Sequence, residues 1–279
     1  MIEYFVGLWA LLRFFKGFQF FLIRRRSKIP IKTMGGASPF MIKKGKKVAL
    51  LIHGFTTSPK EFRNLGGFLS KGDISVYAPL LPGHGTSPER LSIIKSYQWV
   101  EFIEEQIRML SKDYNEIFLV GNSFGGNLAL VNANVSKKVK GVITLATPIF
   151  FYKERFGNRI LLPLLKSIKV FQKKKYSSSA KRVVNKGVAY DSIPLNSISH
   201  VLRVVKLSKK SLKSIRKPLL VMQVDGDEIV DVRSSEFIMS NSPSKNKEVF
   251  TVPKSYHVFI LDKYAKVAYK RILEFIKKY

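Results

Sequence analysis

No cysteine occurs in the 279 residues. A disulfide framework, a cysteine-based zinc site and a thiol nucleophile are therefore excluded. Histidine is scarce: four copies, at 53, 84, 200 and 257, form no clustered ligand pattern, so neither a metal nor another cofactor is expected. Acidic residues are also few, 19 Asp and Glu against 49 Lys and Arg, which leaves a net charge of +30. Such an excess needs a partner: nucleic acid, an anionic membrane or an anionic substrate. Hydrophobic residues at 46% and aromatics at 12% are too many for a disordered chain, so the charge rides on a real core. The length suits one large α/β domain or two small ones.

The charge is unevenly placed. Residues 1–47 hold 11 basic side chains and one acid, and residues 149–217 hold 18 basic and two acids. The remainder, 48–148 with 218–279, holds 20 basic and 16 acidic residues. This divides the chain into a hydrophobic and basic N-terminal helix (1–28), a basic linker with room for one edge strand (29–47), a nearly balanced core (48–148 and 218–279) and a basic cap insertion (149–217). A uniformly lysine-rich surface would have charged the core as well.

Residues 2–23, IEYFVGLWALLRFFKGFQFFLI, are long enough to span a bilayer and are followed by Arg24, Arg25, Arg26 and Lys28. A cleaved signal peptide fits poorly, because the start is not basic and no small-residue cleavage site comes after it. A spanning helix would place Arg13 and Lys16 near mid-membrane, at about 2.5–3.5 kcal/mol each. A helix lying in the interface fits better: Arg13, Lys16, Gly17 and Arg24 share one face, and Phe, Leu and Trp cover the rest. Packing on the protein's own core is the remaining alternative. In either membrane case the arginine run favours a cytoplasmic location for the rest of the chain.

From residue 48 onwards apolar runs alternate with helical patterns. Residues 48–52 (VALLI), 74–78, 116–120 and 140–146 read as buried strands; 60–70, 96–112 and the stretch from 124 to about 136 read as helices. The alternation predicts a mostly parallel sheet with helices on both faces, and a site at the carboxyl ends of its strands. His53-Gly54-Phe55 and Ser123 fall at such ends. Gly121-Asn122-Ser123-Phe124-Gly125 fits G-x-S-x-G, in which Gly121 and Gly125 make room for a serine on a sharp strand-to-helix turn. An ordinary glycine-rich turn is the bland alternative. The position between an apolar strand and a helix favours a nucleophile, with the helix N-terminus favouring negative charge there.

These segments, LIHGFTTSP, PLLPGHGTSP, GNSFGG, the stretch ending KPLLVMQVDGDEIVD, and SYH near the C-terminus, resemble those of α/β-hydrolases. Within that superfamily they look like the bacterial carboxylesterase and monoacylglycerol lipase group, over about residues 46–279. The resemblance implies an α/β-hydrolase fold with a small helical cap, and a Ser–Asp–His triad in that chain order. The family's acid lies in the turn after the strand Leu219–Val224, three residues before an apolar one, a position matched by Asp227 with Val230. Asp225 and Asp231 are the other acids there. Of the four histidines only His257 follows Asp227 and comes after a strand, at 249–252, so it is the expected base. Many relatives carry glycine before this histidine where Tyr256 stands here.

The implied chemistry is proton transfer from Ser123 to His257, with Asp227 holding the imidazole. The backbone N–H groups of Phe55 and Phe124 are the candidate oxyanion donors, with Gly54 as a motif glycine. The expected activity is hydrolysis of a single-acyl-chain, lipid-like ester at an anionic membrane surface, without a cofactor. Thioester hydrolysis, acyl transfer or peptide cleavage on the same site are alternatives. So is a non-catalytic membrane binder on this fold. Nucleic acid is the weaker partner, since no recognition motif accompanies the charge.

Overall fold

The computed structural model of the chain describes residues 10–12, 14–19, 21, 22, 25, 32–152, 170–174, 181, 185–253 and 255–279. Its strands are β1 (Phe40–Ile42), β2 (Lys47–Ile52), β3 (Ser75–Ala78), β4 (Glu116–Asn122), β5 (Val139–Leu145), β6 (Phe171–Lys173), β7 (Ser192–Pro194), β8 (Leu219–Val224) and β9 (Lys247–Val252). The helices are α1 (Arg63–Lys71), α2 (Pro88–Ser92), α3 (Ser96–Asp113), α4 (Phe124–Val131), α5 (Leu195–Ser211), α6 (Arg233–Asn241) and α7 (Ala265–Lys278). Seven strands form one sheet in the order β1-β3-β2-β4-β5-β8-β9. β1 is antiparallel to β3 at the edge, and the other pairings are parallel. β6 and β7 form a separate two-stranded antiparallel pair.

The strands are apolar on both faces because both faces are covered. Val48, Leu50 and Ile52 of β2 and Ile117 and Leu119 of β4 pack with Trp99, Ile103 and Ile107 of α3, Leu128 of α4 and Val204 of α5. Their neighbours in sequence, Ala49, Leu51, Phe118 and Val120, point the other way onto Leu65 and Leu69 of α1 and Ile272, Phe275 and Ile276 of α7. The period of two along each strand thus sorts one hydrophobic run into two cores. The helix expected at 60–70 begins as a 3-10 turn at Pro59–Phe62 and continues as α1. The helix after Ser123 ends at Val131, short of the expected 136.

The segment 149–217 is not all cap. Its second half, α5, packs on α4 through buried Val201, Val204 and Val205 and joins the main core. Asn127 of α4 donates to the Ser208 hydroxyl (3.0 Å), and Asn134 donates to the Ser214 carbonyl (3.1 Å). The chain therefore descends along α5 to the start of β8. Lys213, Arg216 and Lys217 lie in the stretch leading from α5 into β8, towards the end of the sheet remote from Ser123, whereas Lys209 packs over the Phe150 ring (4.3 Å to its centroid) beyond the carboxyl end of β5. Lys217 there caps the Ser136 carbonyl (2.7 Å). These three charges before β8 do not stand over the mouth of the site. The apolar run 160–165 and the serines 177–179 lie outside the described residues.

Of the N-terminal segment, residues 10–12, 14–19, 21, 22 and 25 are helical. Leu11, Phe14, Phe15, Phe18, Phe21 and Leu22 are exposed there, Phe14 by 74%. Arg13, Arg24, Arg26 and Lys28 lie outside the described residues. Among the described residues no helix is long and apolar enough to cross a membrane.

If α5 is core, truncating its fully buried Val204 lowers the unfolding free energy by roughly 2 kcal/mol. Urea denaturation of Val204→Ala measures this. A helix resting only on a loose cap would lose a few tenths.

Candidate active site

Every expected site segment lies at the carboxyl end of a parallel strand: His53 after β2, Ser123 after β4, Asp227 after β8 and His257 after β9. Ser123 has φ 52° and ψ −118°, a left-handed conformation that a non-glycine residue adopts only when its surroundings impose it. Those surroundings are tight. A Cβ on Gly121 would stand 2.2 Å from the Gly125 carbonyl oxygen, and one on Gly125 would stand 1.9 Å from the Ile52 carbonyl oxygen. Gly126 is equally constrained, since its Cβ would meet Thr147 Oγ1 at 1.8 Å. Gly54 is different: its Cβ would make ordinary contacts at 3.5–3.7 Å, one of them with Ser123 Cβ. That distance puts the β2 loop beside the serine.

The structure brings Ser123, His257 and Asp227 into one hydrogen-bonded chain. His257 Nε2 is 2.9 Å from Ser123 Oγ, and Nδ1 is 2.8 Å from Asp227 Oδ2. A carboxylate only accepts, so Nδ1 carries the proton and Nε2 is free to accept the serine's. The Asp227 carboxylate is almost wholly buried (1% exposed) and its Oδ1 accepts from the N–H groups of Ile229 (2.8 Å) and Val230 (2.9 Å). Burial pushes its pKa up. The His257 charge, the bond to His257 and the two amides together outweigh that and leave it below the ordinary carboxylate value. The other two acids do different things. Asp225 is exposed, and Asp231 pairs with Arg233 (2.6 Å) and accepts that residue's N–H (3.0 Å) at the start of α6.

Phe55 and Phe124 carry the amides expected to face an oxyanion. Their rings pack edge to face (centroids 5.9 Å apart) over buried Trp99, which donates to the Pro82 carbonyl (3.0 Å). The Gly54–Phe55 peptide is held from its carbonyl side. Gly54 O accepts from His53 Nδ1 (2.9 Å), Thr57 Oγ1 (3.0 Å) and the Thr57 N–H (3.3 Å). Because a trans peptide directs its N–H opposite its C=O, these donors aim the Phe55 N–H away from them. His53 Nε2 accepts from the Leu81 N–H (3.0 Å), which fixes the tautomer with the proton on Nδ1. His84 is buried in the Pro82–Gly85 turn with Nδ1 3.1 Å from the Pro82 carbonyl. His200 lies on α5. Tyr256 packs against the core cluster of α1 and α7.

Several residues that shape the site carry no motif signal. Tyr190 donates its N–H to Thr56 O (2.9 Å), while its hydroxyl accepts from the Thr86 N–H (2.8 Å) and donates to Gly83 O (2.9 Å). It ties the oxyanion loop, where Thr56 has φ 63°, to the 82–86 loop. Asp262 braces the His257 loop through the Ser255 hydroxyl and the Tyr264 N–H (2.7 Å). Glu61 is buried behind the Phe55 loop. For Glu61 a faint signal exists, an acid in an otherwise apolar and basic helix start, but nothing in the sequence reports its burial. Among the described residues no group of three or more His, Asp or Glu could hold a metal ion.

A strained serine on a strand-to-helix turn, a histidine bonded to it and a buried aspartate on that histidine define a serine hydrolase of the α/β-hydrolase fold. The family model described as serine aminopeptidase, S33, matches residues 43–264, and the chain belongs to that family. It is 30% identical to the thermostable monoacylglycerol lipase of a Bacillus species, over 88% of this chain and 97% of that one. It is 25% identical to the carboxylesterase of Bacillus subtilis, over 86% and 96%. Among solved structures it is similar to one described under two metagenome-derived lipolytic enzymes, LipS and LipT, with a TM-score of 0.81 and 26% identity, covering 89% of this chain and all of that one.

The buried histidines make stability pH-dependent. Burial lowers the His53 pKa from 6.5 to about 4, partly offset by its bond to Gly54. Between those values the unfolded chain binds the proton and the folded one does not. This contribution is therefore complete above pH 6.5 and is lost as pH falls through 4, amounting to about 3 kcal/mol. Burial lowers His84 in the same sense, and Asp227 adds to the loss at still lower pH. Urea unfolding near pH 7.5 and near pH 4.5 is expected to show the lower midpoint at the acidic pH.

Proposed function

We propose that the chain hydrolyses the carboxylic ester of a lipid with a single acyl chain, of the monoacylglycerol type, through an acyl-enzyme on Ser123. The observation that carries this is the unbroken hydrogen-bonded chain from Ser123 through His257 to Asp227. His257 Nε2 takes the Ser123 proton as Oγ attacks the ester carbonyl. The tetrahedral oxyanion is received by the N–H groups of Phe55 and Phe124, the second at the start of α4 where the helix dipole favours negative charge. As the C–O bond breaks, His257 returns the proton to the leaving alcohol. Water then attacks the acyl-enzyme by the same base, releasing the fatty acid and restoring Ser123. Asp227 keeps the imidazole in the required tautomer and balances the imidazolium. The substrate class follows the names of the lipase and carboxylesterase relatives.

In this reading the substrate comes from a membrane. The supporting observations are the exposed side chains of Leu11, Phe14, Phe15, Phe18 and Leu22, which recur at helical spacing, and the arginine run after them in sequence. An anionic surface suits both, since each basic side chain near it contributes about 1 kcal/mol. The catalytic domain would stand on the cytoplasmic side, where basic residues are retained.

Three experiments test these statements. A fluorophosphonate probe is expected to label wild type and not Ser123→Ala, and a folded wild type that stays unlabelled would falsify the hydrolase mechanism. On labelled enzyme, p-nitrophenyl esters of increasing chain length should be cleaved faster than an acyl-CoA or an aminoacyl p-nitroanilide, and the reverse order reassigns the substrate. For the membrane, flotation with anionic and neutral liposomes is compared with and without residues 1–28. Binding should need both the anionic lipid and the segment; equal binding to neutral vesicles removes the electrostatic part.

A further inference from the structure

Among the described residues, catalysis by Ser123, His257 and Asp227 leaves one buried carboxyl unused. Glu61 sits in the 3-10 turn Pro59–Phe62 and is 1% exposed. Its Oε1 accepts two hydrogen bonds, from the Gly54 N–H at 2.9 Å and from Asn122 Nδ2 at 3.0 Å. Both partners hold telling positions. Gly54 directly precedes Phe55, whose N–H is one oxyanion donor, and Asn122 directly precedes Ser123. One carboxylate oxygen therefore joins the loop that receives the oxyanion to the turn that carries the nucleophile, across 61 residues of sequence.

We infer that Glu61 is a positioning residue, which sets the distance and tilt between the oxyanion-hole loop and the nucleophile turn. Three features support this. The Gly54–Phe55 peptide is gripped at its carbonyl by His53 and Thr57, so its remaining freedom is a swing of the whole loop relative to β4, and the Gly54–Glu61–Asn122 bridge opposes that swing. The loop carries backbone strain at Thr56 (φ 63°) and the nucleophile turn at Ser123 (φ 52°), and strain of this kind persists only where partners over-determine it. A bare carboxyl is also an expensive group to bury, and burial raises its pKa despite the opposing bonds from Asn122 and Gly54 and the His257 charge. An apolar residue here would pack without that cost but would leave the Gly54 N–H and the Asn122 amide without an acceptor.

This inference rests on the assignment of the Phe55 and Phe124 amides as the oxyanion hole of a hydrolase. The test is steady-state hydrolysis of a p-nitrophenyl ester, with kcat expressed per fluorophosphonate-titrated site, for Glu61→Gln and Glu61→Leu. A glutamine Oε1 can accept both bonds, so Glu61→Gln should stay within about threefold of wild type. Glu61→Leu should lose roughly 10- to 100-fold in kcat with KM little changed, the size expected when an oxyanion donor is misplaced rather than removed. A purely structural glutamate would lower melting temperature and titratable sites but leave kcat per site intact. If Glu61→Leu fails to fold, Asn122→Ala cuts the same bridge from the other side and should lower kcat, again with KM unchanged. Full kcat per site in Glu61→Leu or Asn122→Ala overturns the inference, as does a Glu61→Gln as impaired as the leucine variant. Absence of probe labelling in wild type would instead reject the hydrolase reading on which it rests.

Discussion

The backbone at Ser123 is the constraint on which the rest depends. A serine held at φ 52° directly between β4 and α4 can exist only if strand and helix meet at close range. A Cβ on Gly121 would run into the Gly125 backbone, and one on Gly125 would run into the Ile52 and His53 carbonyls at the end of β2. The strain at one residue thereby fixes the contact between two adjacent strands. It also brings the loop leaving β2 alongside the nucleophile. The 52-to-121 register of β2 on β4 is the same fact seen from the sheet.

Around that turn the protein assembles buried polar groups that need partners. His53, Thr57, Glu61, Asn122 and Asp227 each bond to backbone amides or carbonyls of the loops they border, or to one another, although Glu61 Oε2 and Asn122 Oδ1 stay unpaired among the described residues. Every bond made to avoid an unpaired buried group also restrains a loop of the site. Tyr190 extends the arrangement into the segment before α5, so the 53–59 loop, the 82–86 loop and that segment share one residue. The aromatic stack of Phe55, Phe124 and Trp99 supplies the apolar floor beneath them.

Much of this is legible in the sequence. VALLI and LLVMQV are strands because only a two-sided apolar environment suits an unbroken hydrophobic run, and GNSFG between a strand and a helix marks the turn. The limits are physical as well. Asp225, Asp227 and Asp231 are chemically alike in sequence, and a resemblance had to choose among them; in three dimensions one is exposed, one pairs with Arg233 and one meets His257. The 149–217 segment reads as a single basic insertion because composition does not say which face of a helix is buried. Val201, Val204 and Val205 point inward, and part of the charge goes to the far end of the sheet.

The sequence by itself determined the strand and helix order, the turn at Ser123 and the chemistry the chain could perform, because local backbone preference and side-chain chemistry are properties of neighbouring residues. Only the tertiary structure decided which aspartate faces which histidine, which tautomer His53 adopts, and that Glu61 reaches Asn122. These are consequences of distances between residues 28 to 134 apart in the chain. Such distances are set by sheet register and by two-sided burial, and no local stretch of sequence encodes either.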